Sequence, residues 1–416
     1  MGTASSVDLV VVGAGAAGLG AARTARELGL ETVVFEAMPR IGGRAHTDPR
    51  PFGVPWDRGC HWLHSADVNP FTRLADAYAH RYRSTPVPRR LHLGDRWATE
   101  EEQATFDQGV ETDLGAAAAL GRQGTDVPLA DAFAVGAPWA CGSRMRINAE
   151  WGVDPEAAST RDDAAYRDTD RNWPVEDGYG ALVARHAAGI PVTLSTPVER
   201  IAWGGDRVRV ATPRGTVEAG AVLVTVSTGV LAADLIRFDP PLPDWKREDA
   251  AAVPLGAANK VAFLVDGARL GVDRHTNVVA PVAGGYGISF QLRPFGWDLA
   301  NAYLAGPLCD ELERAGEAAM ADVALAALRS IVGNDVARHV RATACTTWRR
   351  EPSILGAYAA ARPGQAHRRA DLATPLDDRV FFAGEATSPD FFSTCHGAHL
   401  SGVAAARAAV AALGRA

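Results

Sequence analysis

Val7-Asp8-Leu9-Val10-Val11-Val12-Gly13-Ala14-Gly15-Ala16-Ala17-Gly18 decides the fold. An apolar run of strand length, residues 7–12, closes on glycines. The alanine-rich residues 16–28 then carry helical character up to a stop at Gly29, and residues 31–35 form a second buried strand ending at Glu36. This is one β-α-β unit. In Gly13-x-Gly15-x-x-Gly18 the glycines let the backbone turn tightly, approach a pyrophosphate and pack helix against strand. The helix start, at Ala16 and Ala17, offers free N–H groups and a partial positive charge to an anion. A GxGxxG string alone reads equally as a glycine turn without a ligand. Glu36 lifts it above that: eighteen residues past Gly18, its carboxylate stands where both ribose hydroxyls can be accepted.

The next motifs separate FAD from a nicotinamide cofactor. Ile41-Gly42-Gly43-Arg44 follows the unit directly, placing Arg44 to clamp a pyrophosphate from outside. Near the far end, Val380-Phe381-Phe382-Ala383-Gly384-Glu385 is a strand ending in Gly-Glu, which brings a carboxylate toward a ribityl chain that nicotinamide cofactors lack. In isolation that glutamate reads as a surface residue; with the N-terminal motif it points to FAD.

Between these ends the chain alternates. Residues 49–179 are irregular and rich in Trp, Arg and acidic side chains, an insertion of helices and loops. The α/β pattern returns at Gly180 with a helix to about 188, strands near 192–194 and 198–202, a hairpin of 208–211 with 216–218 around Pro213-Arg214-Gly215, and a buried strand at 221–226. A second insertion, about 255–340, carries strands at 260–265 and 287–292 and a helix over 313–332. A strand at 379–383 and a terminal helix over 397–413 close the chain. The expected architecture is α/β: a discontinuous Rossmann-like FAD-binding lobe of the GR2 type (1–65, 180–250, 341–416) with an inserted α+β substrate lobe (66–179, 251–340).

At 416 residues and 47% hydrophobic content the chain can bury a sizeable core. A formal charge of −7, spread along the chain, argues against the basic face that nucleic acid requires. Five scattered cysteines form no CxxC pair, so neither a metal site nor a disulfide framework is expected. No signal peptide, apolar span or hydrophobic tail is visible, which reads as a cytoplasmic chain without membrane contact, a monomer or homodimer.

These strings together resemble the flavin monoamine oxidase superfamily, on its polyamine oxidase and histone-demethylase-like side. The resemblance runs nearly end to end. It adds Asp57-Arg58-Gly59-Cys60-His61-Trp62-Leu63-His64, Asn259-Lys260-Val261, Trp348 with Gly356-Ala357-Tyr358, FFAGEATS at 381–388, and His396-Gly397-Ala398 with Leu400-Ser401-Gly402. It implies that Lys260 holds a water against flavin N5, that Tyr358 is one wall of an aromatic sandwich, and that His64 accepts from or orients the substrate nitrogen. The opposite wall, a tyrosine in monoamine oxidases, is Thr394 here. That implies a roomier pocket for a secondary or N-substituted amine, with Phe391, Phe392 or Trp62 supplying apolar surface. Ala37, His61, Trp62, Val198, Trp348 and Cys395 are implied cofactor neighbours. His396 supports the start of the terminal helix, whose N-terminus aims at the flavin pyrimidine. Ala357 stands where mitochondrial monoamine oxidases attach their flavin to a cysteine, so the FAD here is expected to be non-covalent. Met38 replaces an arginine often found two residues after the ribose glutamate. The bland alternatives are a snorkelling Lys260, a Tyr358 packed between strands and a structural His64.

The implied reaction is hydride transfer from a neutral amine to flavin N5, hydrolysis of the imine to an aldehyde and a shorter amine, and reoxidation by dioxygen to hydrogen peroxide. An L-amino acid oxidase requires a pocket arginine, and the sequence places none there. A natural-product tailoring oxidase shares the chemistry and stays open, whereas a flavin-binding scaffold without turnover conflicts with an intact Lys260 and Tyr358. Glu150, Asp162, Asp163, Asp168 and Asp170 form a candidate entrance for a polycation, or simply a solvated face.

Overall fold

The computed structural model describes residues 6–282 and 285–414. The expected lobes therefore extend over residues 1–5, 283–284 and 415–416, which lie outside the described chain.

β1 (Ser6–Val12) lies mid-sheet because its side chains are apolar on both faces; Leu9, Val10 and Val11 are fully buried. α1 (Ala16–Glu27) carries the chain to β2 (Thr32–Phe35), which pairs with β1 in parallel, Val12 opposite Phe35. On the other side β1 pairs in parallel with strand Gly215–Val224, and that strand in turn with Val380–Phe382. Among the described residues this sheet has eight strands in all, drawn from three stretches of chain. Its parallel strands end at one edge, so Gly13, Glu36 and Gly384 gather there, the place where open α/β sheets bind ligands.

Two close approaches explain glycines of the motif region. A Cβ on Gly18 would stand 1.9 Å from the Gly13 carbonyl, and one on Gly402 would stand 2.0 Å from that of Ala17. The first seats α1 on the sheet, and the second lets the terminal helix Cys395–Ala412 lie against α1.

A second, six-stranded sheet runs in the order Val340–Cys345, Ala258–Val265, Leu299–Ala305, Gly287–Leu292, Thr276–Pro281, Arg89–Leu91. Strand Ala258–Val265 is buried along nearly its whole length and pairs antiparallel with its neighbours on both sides, with Lys260 opposite Tyr303. Helices Gly306–Ala315 and Glu317–Val332 pack on this sheet.

Several sequence expectations are corrected. The expected helix over 313–332 is two helices, broken at Gly316, whose φ of 112° ends the first. The strands expected at 216–218 and 221–226 are one, Gly215–Val224: Gly220 marks no turn but sits where a Cβ would meet Leu413 at 2.7 Å. The lobe limit expected at 341 falls inside Val340–Cys345, a strand of the second sheet, because its residues pair with 261–265. Strand Leu299–Ala305 was not foreseen. Asp162 lines no entrance. It is buried in a bidentate ion pair with Arg369, at 2.6 and 2.7 Å, and also accepts from the Ala361 N–H. Arg369 donates further to the carbonyls of Ala359 and Ala386, which ties the first insertion to the C-terminal segment.

Asp162→Ala would leave the Arg369 guanidinium buried without its counter-ion. The expected loss of stability is about 3–5 kcal/mol. Denaturant unfolding checks this, and a loss below about 1 kcal/mol would show that the pair carries little of the link between the segments.

Candidate active site

One cavity of about 1280 Å³ extends from the parallel-strand edge to the second sheet. Single-ligand pockets run to roughly 300–1,000 Å³, so there is room here for a dinucleotide and a substrate together. All but one of the residues expected to hold a cofactor line it: Gly13, Gly15, Ala16, Ala17, Glu36, Ala37, Gly42, Gly43, Arg44, His61, Trp62, Val198, Trp348, Gly384, Glu385, Thr394 and Cys395. Gly18 does not, because its lack of a side chain serves the helix–strand contact behind the cradle.

The nucleotide end fits FAD on its own geometry. Gly13 has φ of 100°, and a Cβ on Gly15 would project into open space. Gly42 bridges to Gly15, with Gly43 at φ 56° beside it. Glu36 accepts the Ala14 N–H at 2.6 Å and the Met38 N–H at 2.8 Å, one on each oxygen, which aims the carboxylate and leaves each oxygen acceptor capacity for a ribose hydroxyl. Burial pushes this carboxyl above its ordinary pKa. The position that lacks the frequent arginine thus contributes the Met38 backbone instead. His61 donates from Nδ1 to Asp57 at 3.1 Å, while its buried Nε2 has no partner among the described residues, an orphan acceptor that a ligand donor would satisfy.

Farther in, Arg44 and Glu385 form a pair at 2.8 Å, and Arg44 also donates to the Ala357 carbonyl. Glu385 accepts from the Ser393 N–H at 3.0 Å. The sequence gives these side chains separate targets; the structure joins them on the cavity wall.

Lys260 is buried on its strand and donates from Nζ to the carbonyls of Asp57 and Gly59, both at 2.7 Å. Burial pulls its pKa down to about 8. Two of its three donors are engaged, and the third is available to a water or ligand. Tyr358 is held by its hydroxyl, which donates to the Ala149 carbonyl and meets Tyr303 Oη at 2.6 Å. Burial drives both phenols well above their usual range, so each stays neutral. Trp348 packs buried, its indole N–H on the Arg58 carbonyl at 3.2 Å.

Thr394 does not act as a free hydroxyl. It caps the terminal helix, accepting the Gly397 N–H at 3.0 Å and donating to the Phe391 carbonyl at 2.6 Å. Its hydroxyl proton is committed, so it offers the cavity no donor; Phe392 and Trp62 line the cavity while Phe391 packs on His396 instead. His396 is buried in the first turn of that helix.

His64 lies within 2.7 Å of Asn172 Oδ1 through Nδ1, and burial lowers its pKa. The neutral ring therefore donates from Nδ1 and keeps an acceptor lone pair on Nε2. Beyond it stand Glu150, Asp163, Asp168 and Asp170. Burial, reinforced by the Glu150 charge, pushes Asp163 up to about 7, and the Trp151 indole donates to it at 2.9 Å. Arg146 also lines the cavity, against the expectation of no pocket arginine. It is ion-paired to Glu150, with Glu111 at 4.0 Å. Asn172, Tyr303 and Arg146 are the residues that sequence reasoning missed. No local pattern signals them: Leu299–Ala305, which carries Tyr303, is buried almost throughout and does not alternate.

Comparison with known proteins places this geometry. The family described as flavin containing amine oxidoreductase matches residues 97–410, and an NAD(P)-binding Rossmann-like domain matches residues 11–81. Polyamine oxidase 4 of Oryza sativa subsp. japonica is 28% identical, the match covering 97% of this chain and 88% of that protein. Lysine-specific histone demethylase 1 homolog 1 of the same organism is 29% identical, over 95% of this chain and 51% of that protein. The solved structure of wild-type putrescine oxidase bound to putrescine shares the fold, with a TM-score of 0.80 at 20% identity over 98% of this chain and 99% of that one. The chain belongs to the flavin-containing amine oxidoreductases, and it is an oxidoreductase acting on amines.

Proposed function

We propose that the protein holds FAD non-covalently along this cavity and oxidises a polyamine-like or N-substituted amine, with dioxygen as final acceptor. The observation that carries the reading is the continuity of one cavity from the Glu36 cradle, past the Lys260 ammonium, to a carboxylate-lined end. FAD, when bound, supplies the hydride acceptor for the α-carbon of the amine and the route for its electrons to dioxygen, giving hydrogen peroxide. The substrate-derived imine then takes up water and yields an aldehyde and a shorter amine.

The residues have distinct tasks. His64, its Nδ1–H fixed on Asn172, accepts an N–H of the amine at Nε2 and so orients the nitrogen lone pair. Tyr358 and Tyr303, tied to each other, present a neutral aromatic wall that tolerates an ammonium on approach. Asp168 and Asp170, exposed on the cavity rim, take a second ammonium. Lys260 places positive charge where negative charge develops. Non-covalent attachment is supported by the alanine at 357 and by Cys395. Its hydrogen bond to Cys60 and its burial hold this thiol well above the usual range, a poor nucleophile. Arg146 keeps an amino-acid substrate as the second reading, but its charge is met by Glu150.

Anaerobic mixing with spermidine, N-acetylspermine, benzylamine and L-amino acids tests the reading. Bleaching of the flavin band by the polyamines is expected; bleaching by L-amino acids alone would transfer the assignment to the second reading. Acid precipitation should release all of the yellow colour into the supernatant, and colour retained in the pellet would show a covalent bond.

The pH dependence has two limbs. The amine binds as a cation and reacts neutral, so kcat/KM rises from pH 6 as its proton is lost. Lys260 loses its own charge above about 8, so the rate falls there. Lys260→Met should lower the rate of anaerobic flavin reduction about a hundredfold and erase the alkaline limb. A profile flat between pH 6 and 9 in the parent enzyme would count against both assignments.

A further inference from the structure

Glu313 is a carboxylate only 2% exposed on helix Gly306–Ala315, behind the cavity and not part of its wall. Its Oε2 accepts from Asn259 Nδ2 at 2.6 Å and its Oε1 from the Arg350 N–H at 3.0 Å. Asn259 passes the order on. Its Oδ1 accepts the Thr346 hydroxyl at 3.0 Å and the Trp348 N–H at 3.1 Å, and the Thr346 oxygen accepts the Lys260 N–H at 2.8 Å. The direction of this relay is fixed by chemistry. A backbone N–H can only donate and a carboxylate can only accept, so the Asn259 amide has a single satisfied orientation between them. Asn259 Nδ2 also lies 3.3 Å from Cys309 Sγ, a weak acceptor that favours the same orientation.

Glu313 has no ion-pair partner among the described residues, and a buried carboxylate of that kind is costly to keep, whereas an apolar contact would staple helix to sheet at lower cost. What the carboxylate adds is polarity at the first link, and through it the placement of two backbone N–H groups. We propose that Glu313 is a positioning residue: through Asn259 it holds the backbone of Lys260 and Trp348 in the register that presents both side chains to the cavity. This rests on the reading of Lys260 as the ammonium beside the flavin and Trp348 as its packing neighbour.

An exchange of amide and carboxylate tests it. Glu313→Gln sets two amides against each other, and Asn259→Asp sets two carboxylates against each other; each breaks the relay. Combined, the new amide at 313 donates to the new carboxylate at 259, whose other oxygen still accepts from Thr346 and Trp348. Two readouts are followed: hydrogen–deuterium exchange of peptides spanning residues 346–350, and the rate of anaerobic flavin reduction by amine. Each single variant is expected to expose the Trp348 and Arg350 amides to exchange and to slow reduction about tenfold to a hundredfold. The double variant is expected to recover both. Single variants that fail to fold beside a folded, active double variant would support the relay equally. Three results would overturn it: single variants with parental exchange and reduction, single variants that lose thermal stability alone while reducing flavin at the parental rate, or a double variant no better than the worse single. Lys260→Met, measured in parallel, separates the two levels. If it reduces flavin at the parental rate, the role of Lys260 fails; if it is slow while the single variants are unaffected, only the role of Glu313 fails.

Discussion

A lysine ammonium pinned on two backbone carbonyls joins the halves of this molecule. Lys260 comes from the second sheet, and its acceptors, Asp57 and Gly59, come from the loop that follows the glycine cradle. That loop can serve only if it is rigid, and the Asp57 carboxylate makes it so. It accepts the Tyr179 and Gly180 N–H groups at the start of helix Tyr179–His186, the Thr47 hydroxyl and the His61 ring. Burial alone would push this carboxyl up, yet His61 and Lys260 beside it hold it below the ordinary range, so it stays charged opposite the ammonium. One residue thus contributes its side chain to order the nucleotide lobe and its carbonyl to seat the cation.

That double use explains which parts of the site could be read from the chain. The cradle is local chemistry: Gly13, Gly15 and Glu36 act through backbone shape and one β-α-β turn, and their spacing suffices to find them. Lys260, Tyr358 and His64 carry no such signature. A lysine on a strand and a tyrosine near a glycine look alike in any protein, and only the resemblance to a family singled them out. Asn172 and Arg369 were invisible for a simpler reason. Their partners lie 108 and 207 residues away, and no local pattern encodes a pairing at that separation. Thr394 lines the cavity, and its capping of the terminal helix could not be read, because capping depends on where that helix begins, two residues before the expected start.

The same limit shows in the fold. The central parallel strands β1, β2 and Val380–Phe382 are legible because they are almost continuously apolar. In the second sheet Leu299–Ala305, buried at all but Tyr303, passed unnoticed because its three alanines and Asn301 have low strand propensity, and Val340–Cys345, alternating in exposure along most of its length, was assigned to the other lobe. Period-two patterns this short compete poorly with the helices and loops around them.

The electrostatics of the cavity order the approach of a substrate on the reading proposed above. Carboxylates stand at one end, exposed at Asp168 and Asp170 and partly neutralised deeper in, where Asp163 titrates near 7. Next come groups that burial holds neutral, His64 and the linked phenols of Tyr303 and Tyr358. The Lys260 charge lies beyond. An ammonium is therefore drawn in at the rim, exchanges its hydration for the single His64 acceptor and the aromatic wall, and meets a like charge at the far end. Desolvation and repulsion both lower the pKa of the amine nearest Lys260, while a second ammonium left at the rim keeps its carboxylates. The gradient that recruits the cation is the gradient that strips its proton, so binding and activation come from one arrangement of charge.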